Sequence, residues 1–466
     1  METINLIRNS EKGISKIGVI LLLPFVILVI AYLVYQLFLI PDPVVSGLEG
    51  FALLPKEKTV QLTGENIKSV NILIHKDDQT IELLKDMPAT SDIIYNLQIK
   101  PRELGLSDGP AVIIVTAKAG FFKETKEEVS AVIDTVPPSI EVVKSPFLIY
   151  RGSGAFAVLT AKGAERVFVR LGNQSFSAFP AHPDSEPGLE PPESVIESPA
   201  RVKILKKEKA RAYLVFFPAP YEVADEESFF AVAEDEAGNQ SIRALSTRLR
   251  QKQYGESSIT IDESFVKQVL VPLMNEAELP DPAGSFREVN EEWRREVLER
   301  LVELSGKTEP RILWEGRFLQ MKNSKVMAVY GDRRTYFMNG EAISKSVHLG
   351  YDLASHSRAP VRAANSGIVK FAGELSIYGN TIIIDHGMGL MSLYGHLSEV
   401  TVETGENVKK GANIGRTGST GLAGGDHLHF GILLHGQEVS PLYWWDAHWI
   451  KVNISDVLSS YVNEPI

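Results

Sequence analysis

The 466-residue chain carries a formal net charge of −11 at pH 7, with 44% hydrophobic and 23% charged residues. That balance excludes wholesale disorder and argues against a protein that lives on nucleic acid, because neutralising phosphates needs a basic face. The length suggests roughly two to four domains, and the absence of cysteine excludes disulfides, a thiolate metal site and a lipid-modified cysteine.

Residues 17–40 are 24 positions without a charge, and Gln36 is their one amide. As a helix the run would extend about 36 Å at ~1.5 Å per residue, enough for a hydrocarbon core of about 30 Å. Pro24, which breaks a soluble helix, is tolerated in a membrane span. A cleaved signal peptide is the rival reading. Its apolar core is about 7–15 residues long and ends in small residues, whereas this run ends Leu39-Ile40-Pro41-Asp42-Pro43. Arg8, Lys12 and Lys16 precede the run and Asp42 follows it. Positive-inside logic therefore predicts a cytoplasmic N-terminus (1–16) and one transmembrane helix (17–40) in the cytoplasmic (inner) membrane, with the lipid bilayer as partner and the catalytic domain in the periplasm or outside.

The remainder reads as mainly β. Residues 44–136 hold strand-like runs at Ser69–Ile74, Ala111–Thr116 and Val129–Ile133, separated by turn chemistry such as Ser107-Asp108-Gly109-Pro110. Pro137-Pro138 marks a boundary. Residues 139–249 repeat the pattern at Ser139–Val143, Ala155–Thr160, Arg166–Leu171, Arg201–Leu205, Ala212–Phe217 and Phe229–Glu234. A Pro-rich, acidic loop is expected over 181–198. The turn Ala233–Asn239 resembles the one before the last strand of bacterial immunoglobulin-like domains, so two sandwich-like Ig-like domains are expected. They serve as spacers or as surfaces for envelope partners. Residues 250–308 form a helical connector: Ser285 and Glu288 have capping-box spacing, and Phe286, Val289, Trp293, Val297, Leu301 and Leu304 make one apolar face that ends at Gly306.

The chemistry concentrates in 309–466. Eight of the ten histidines lie between His348 and His448. His427-Leu428-His429 reads as strand, which puts both imidazoles on one face. Both could reach one metal, or one could bind while the other waits beside it. His348 and Asp352 are four apart, but Gly350 between them suits a bend into a strand better than a helix. His396, in Tyr394-Gly395-His396-Leu397, adds a third element. Imidazoles with one carboxylate and no thiolate suit a divalent metal such as zinc. For His356, His386, His435 and His448, turn or surface placement is expected, and solvent-facing placement for His75 and His182. Tyr378 and Asn380 read equally well as groove residues or as packing and turn residues. Trp444, Trp445 and Trp449 read as core packing before a glycan platform.

His348-Leu349-Gly350-Tyr351-Asp352-Leu353-Ala354, Tyr378-Gly379-Asn380, Leu393–Leu397, Gly418-Ser419-Thr420-Gly421 and His427–Phe430 follow one another in an order that resembles the lysostaphin/LytM-type zinc metallopeptidases. That family cuts peptide cross-links of bacterial cell walls. The resemblance covers the last domain alone. It implies an antiparallel β-sheet with an open groove, one Zn²⁺ held by His348, Asp352 and His429 with a water, and His396 and His427 as catalytic groups. Three protein ligands leave the open position of a catalytic zinc. The expected activity is a metalloendopeptidase acting on peptidoglycan stem or cross-bridge peptides. The alternative is a non-catalytic scaffold or an activator of another wall hydrolase.

Overall fold

The computed structural model describes residues 16–88, 93–181, 209–224 and 227–461. The chain is mainly β and divides into two compact units, Met1–Val136 with Ala237–Asn239, and Pro137–Glu236 with Gln240–Ile466.

In the first unit, strands Leu53–Leu54, Glu124–Ile133, Gly109–Lys118, Ser69–Lys76 and Gln79–Pro88 form a five-stranded sheet. A three-stranded sheet of Val44–Ser46, Lys58–Glu65 and Ile93–Ile99 accompanies it. Along Ser69–Lys76 every second residue is buried, as a two-residue period with one core face requires. Val70, Ile72 and Ile74 join Phe51, Val60, Ile113 and Val115 in the core.

The expected span at 17–40 is described in two helical parts. Lys16–Val34 is an α-helix with Pro24 inside it, but at Tyr35 the pattern widens to a π-helical turn ending at Leu39. Among the described residues, no helix is long and apolar enough to cross a membrane. Gln36 lies in this π-helical turn. Its side chain is buried and accepts a hydrogen bond from the Phe121 backbone N–H at 3.1 Å. The end of the apolar run is thus tied to the β-domain.

In the second unit a sandwich comes first. One sheet holds Phe179–Pro180, Arg211–Ala219, Ser153–Lys162 and Ser139–Lys144, and the other Gln174–Ser177, Arg166–Leu171, Phe229–Glu234 and Gln240–Ala244. The expected strand Arg201–Leu205, the loop from His182 to Ser198 and His182 itself lie outside the described residues.

The segment after the sandwich opens with a strand, β1 (Glu256–Thr260), before its helices. The main helical stretch starts at Pro282 and is capped by Asp281, whose side chain accepts from the Gly284 N–H. Ser285, the expected cap, is therefore already inside the helix, one turn past the observed one. The stretch runs through a π-helical segment, Glu288–Trp293, into Arg294–Ser305 and stops at Gly306. Phe286, Val289, Val297 and Leu301 are buried. Each such side chain contributes roughly 1.5–3 kcal/mol.

Strand β2 (Lys325–Ala328) is followed by β3 (Asp332–Met338), β4 (Glu341–His348), β5 (Tyr351–Ala354), β6 (Gly367–Glu374), β7 (Asn380–Gly387), β8 (Leu390–Gly395), β9 (Asn407–Val408), β10 (Leu428–Leu434) and β11 (Gln437–Val439). The large sheet has the order β2-β5-β10-β8-β7-β6-β9, with β11 beside β10, and every pairing in it is antiparallel. A smaller sheet pairs β1 with β3 in parallel and β3 with β4 antiparallel. Strand β10 is buried on both faces. Leu428, Phe430, Ile432 and Leu434 enter a core shared with Trp314, Trp444 and the sandwich residues Phe156 and Phe216. Leu433 enters the opposite core with Phe286, Val289 and Leu301 of the helical stretch. Since His429 shares parity with Leu433, the helical stretch covers the same face of the sheet that carries the histidines.

Candidate metal centre

His348 ends β4, Gly350 makes the bend, and Asp352 lies on β5. The β5–β10 register sets Asp352 directly across from His429, and the β8–β10 register sets Gly395 on its other side. His396 therefore follows immediately after β8, beside the same point. The structure brings His348, Asp352 and His429 together: His348 Nε2 lies 2.9 Å from Asp352 Oδ1 and 3.1 Å from His429 Nδ1. His429 Nδ1 lies 3.1 Å from Asp352 Oδ1. None of these sits on a helix, and Gly350 has a steric reason. A Cβ there would lie 2.5 Å from His429 Cε1 and Nε2 and 2.9 Å from the Phe430 carbonyl oxygen.

Tautomers follow from the backbone carbonyls, which can only accept. His348 Nδ1–H donates to Val329 O at 3.0 Å, His396 Nδ1–H to Thr420 O at 2.8 Å, and His427 Nδ1–H to Gly425 O at 2.8 Å. Each therefore turns a bare Nε2 inward. Three lone-pair atoms about 3 Å apart fit one face of a tetrahedron around a metal at ~2.0–2.1 Å. The donor set of two imidazoles and a carboxylate suits zinc and leaves a fourth position free.

His427 Nε2 stands 3.6 Å from Asp352 Oδ1, and its ring centroid is 4.8 Å from that of His396. His427 and His429 do share a face. His396 adopts φ +61°, a left-handed backbone that is costly for a residue with a Cβ and that persists where surrounding contacts over-determine it. Its N–H donates to Tyr378 O at 2.7 Å. Burial, with His427 and His429 as neighbours, lowers the His396 pKa well below the ordinary value. Burial also opposes charge on His427, but the hydrogen bond and charge of Asp352 outweigh it and raise the pKa. Burial would raise the Asp352 carboxyl, yet His348, His427 and His429 hold it well below the usual range.

Sequence reasoning missed Arg334. From β3 it donates Nη2 to Asp352 Oδ2 and Nε to Asp332 Oδ2, both at 3.2 Å. It thereby holds the second carboxylate oxygen and leaves Oδ1 for the centre. No motif marks it in the sequence: the β3–β4 hairpin sets Asp332 opposite His348 and so carries Arg334 to the site. Tyr378 is both groove and packing residue: its ring centroid is 5.1 Å from that of His429, and its hydroxyl donates to buried Glu438 at 2.8 Å. Asn380 is a loop anchor, donating Nδ2–H to Leu397 O. Trp444 is core, Trp445 stacks on Phe430 at 5.5 Å, and Trp449 packs against Trp444. His356 and His448 are exposed. His435 sits in the turn after β10, its Nε2–H donating to Phe216 O. His386 corrects the expectation of a turn or surface position. It is fully buried on β7, with Nδ1–H donating to Ser366 O and Nε2 accepting from Ser392 Oγ. Both ring nitrogens are satisfied, so the burial is sustainable, and it pulls the pKa down to about 4.

A strand-borne His/Asp/His cluster, with two further histidines beside it, defines a metallopeptidase-like site. Residues 346–441 match Peptidase family M23, and the C-terminal domain is a domain of that family. The chain is 42% identical over 96 residues to the DD-carboxypeptidase/endopeptidase Mpg of Neisseria gonorrhoeae, covering 21% of this chain and 22% of that protein. It is 35% identical over 95 residues to the peptidoglycan DD-endopeptidase ShyA of Vibrio cholerae, covering 20% and 22%. The match thus spans about a fifth of the length of these curated relatives. Among solved structures, the catalytic domain of the antimicrobial peptidase lysostaphin from Staphylococcus simulans is 31% identical, with a TM-score of 0.22, over 26% of this chain and 90% of that one.

Proposed function

We propose that the C-terminal domain is a zinc endopeptidase that hydrolyses peptide cross-links of peptidoglycan. The observation that carries this is the convergence of His348 Nε2, Asp352 Oδ1 and His429 Nδ1 within 3.1 Å, beside two imidazoles with bare Nε2 atoms. The substrate class is supported by the names of the relatives Mpg and ShyA, whose matching segment is this domain.

A zinc ion held by His348, Asp352 and His429 would supply a Lewis acid able to polarise the scissile carbonyl and acidify water. His427 is the better proton acceptor, since Asp352 beside it favours the imidazolium. Its Nε2 takes the proton of the attacking water and returns it to the leaving amine. His396, kept neutral by burial, accepts a hydrogen bond from the water at Nε2 and so orients it. Arg334 keeps Asp352 in place. Tyr378 spends its hydroxyl on Glu438, so it acts by packing against His429 rather than by moving protons.

The location remains a reading of the sequence: the uncharged run 17–40, with basic residues before it, supports a membrane-held chain whose catalytic domain lies outside. Carbonate extraction of membranes tests that part. Full retention in the pellet is the expected result, and release would overturn it. For the activity, residues 44–466 incubated with isolated sacculi should release uncross-linked muropeptides. Chelation should stop the release and added zinc restore it. Zinc-loaded protein that leaves every type of sacculus intact would overturn the enzyme in favour of a scaffold role.

A further inference from the structure

We infer that Arg294 is a carboxylate-recognising residue of the cavity above the metal centre, so that the peptide taken there is an acidic one held by a free carboxylate. This rests on the reading that the cavity accepts a peptide.

The cavity has a volume of about 270 Å³ and is lined by His348, Asp352, His396, His427 and His429 on one side and by Arg294 and Arg334 among its other residues. The two arginines differ in what they hold. The fork of Arg334 is filled by Asp332 and Asp352. Arg294 reaches only its own helix: Nε donates to Asn290 O at 3.1 Å and Nη2 to Asn290 Oδ1 at 3.0 Å. Among the described residues it forms no close ion pair, and its charge acts on the buried carboxyl of Glu438.

The neighbouring acids have hydrogen-bond partners of their own, although the Arg294 charge also acts on Glu438. Glu291 accepts from Ser344 Oγ, Asp352 is surrounded by histidines and Arg334, and Glu438 accepts from Tyr378. The support beneath Arg294 is itself built. Asn290 is 1% exposed, and its Nδ2 is tied to Ser344 Oγ at 2.9 Å and to Lys345 O at 3.3 Å. With its Oδ1 accepting from Arg294 Nη2, the buried amide is hydrogen-bonded at both ends and holds the guanidinium in one orientation. Ile259, Ile261, Phe265, Phe286 and Leu422 also line the cavity, and apolar walls strengthen a charge-assisted pair formed between them. A planar guanidinium with free N–H groups matches a carboxylate.

The test uses the zinc-loaded full chain with His427→Ala, so that turnover does not interfere, and the peptide dansyl-Ala-Glu-Ala-Ala. Fluorescence titration compares it with forms amidated at the glutamate, at the C-terminus, or at both. The acidic peptide should bind roughly ten- to hundredfold tighter than the doubly amidated one. Arg294→Gln should bring the ratio to about one, while Arg294→Lys should keep part of it, with zinc stoichiometry unchanged in both. The single amidation that abolishes the preference identifies which carboxylate is read. A ratio near one in the parent, a ratio that survives Arg294→Gln, or no binding of any peptide would overturn the inference. Hydrolysis is scored separately with His427 present: a chain that prefers the acid but cleaves nothing fails as an endopeptidase and keeps this site. One that cleaves acid and amide alike does the reverse.

Discussion

Gly350→Ala puts the geometry of the metal centre to its sharpest test. The added Cβ would stand 2.5 Å from His429 Cε1 and Nε2, where ordinary contact begins at 3.4 Å, so the imidazole must retreat by 3.4 − 2.5 = 0.9 Å. The strand cannot yield instead, because the Phe430 carbonyl lies 2.9 Å away on the same side. A functional constellation tolerates about 0.5 Å of error, and disturbing what orients a ligand typically costs about 10–100-fold in metal affinity. That corresponds to about 1.4–2.7 kcal/mol at 1.36 kcal/mol per decade. Competition against a chromophoric chelator reads the zinc affinity directly. Gly425→Ala is the matched control, since its Cβ meets nothing within 4 Å, and should keep wild-type affinity. Zinc binding by Gly350→Ala within about threefold of wild type would refute the placement of His429 as a ligand.

Other outcomes follow from the same arrangement. Arg334→Gln should weaken zinc roughly tenfold or more, by freeing Asp352 Oδ2, and the same competition assay measures it. His427→Ala should keep stoichiometric zinc but lower kcat about 10²–10⁴-fold on a cross-linked peptide, and an unchanged kcat would remove it from the proton path. Glu438 gives a pH signature. Burial raises its carboxyl from 4.5 to about 7 in the folded chain, so the fold binds its proton more tightly than the unfolded chain does. Its contribution to stability is fully present below about pH 4.5 and is lost as pH rises through about 7, by roughly 3 kcal/mol at most. Glu438→Gln should therefore match wild type in urea midpoint near pH 4.5 and exceed it at pH 8. A difference that does not change with pH would contradict this.

What could be read from the sequence was local. His348, Asp352, His396, His427 and His429 declared themselves by spacing and order, and the strands around Phe229–Glu234 and Arg166–Leu171 by alternation and turn residues. Much of what could not be read depended on contacts that lie outside the motifs. Arg334 reaches Asp352 because β3 is zipped between β4 and β1, a strand about 75 residues upstream. His386 looked like a turn histidine until Ser366 and Ser392 closed around both its nitrogens. The helix cap fell on Asp281 rather than Ser285 because Asp281 precedes Pro282, whose fixed φ suits a first helical position. The apolar run 17–40 gave no sign that Gln36, its single amide, would dock on the Phe121 backbone.

The central claim is that peptide hydrolysis depends on zinc held by His348, Asp352 and His429. The most direct measurement counts new amino groups released from sacculi per bound zinc, in wild type and in His429→Ala. Multiple turnovers per zinc in wild type, with zinc binding and release both lost in the variant, is the predicted result. Release that persists in His429→Ala after its zinc has been removed would contradict it.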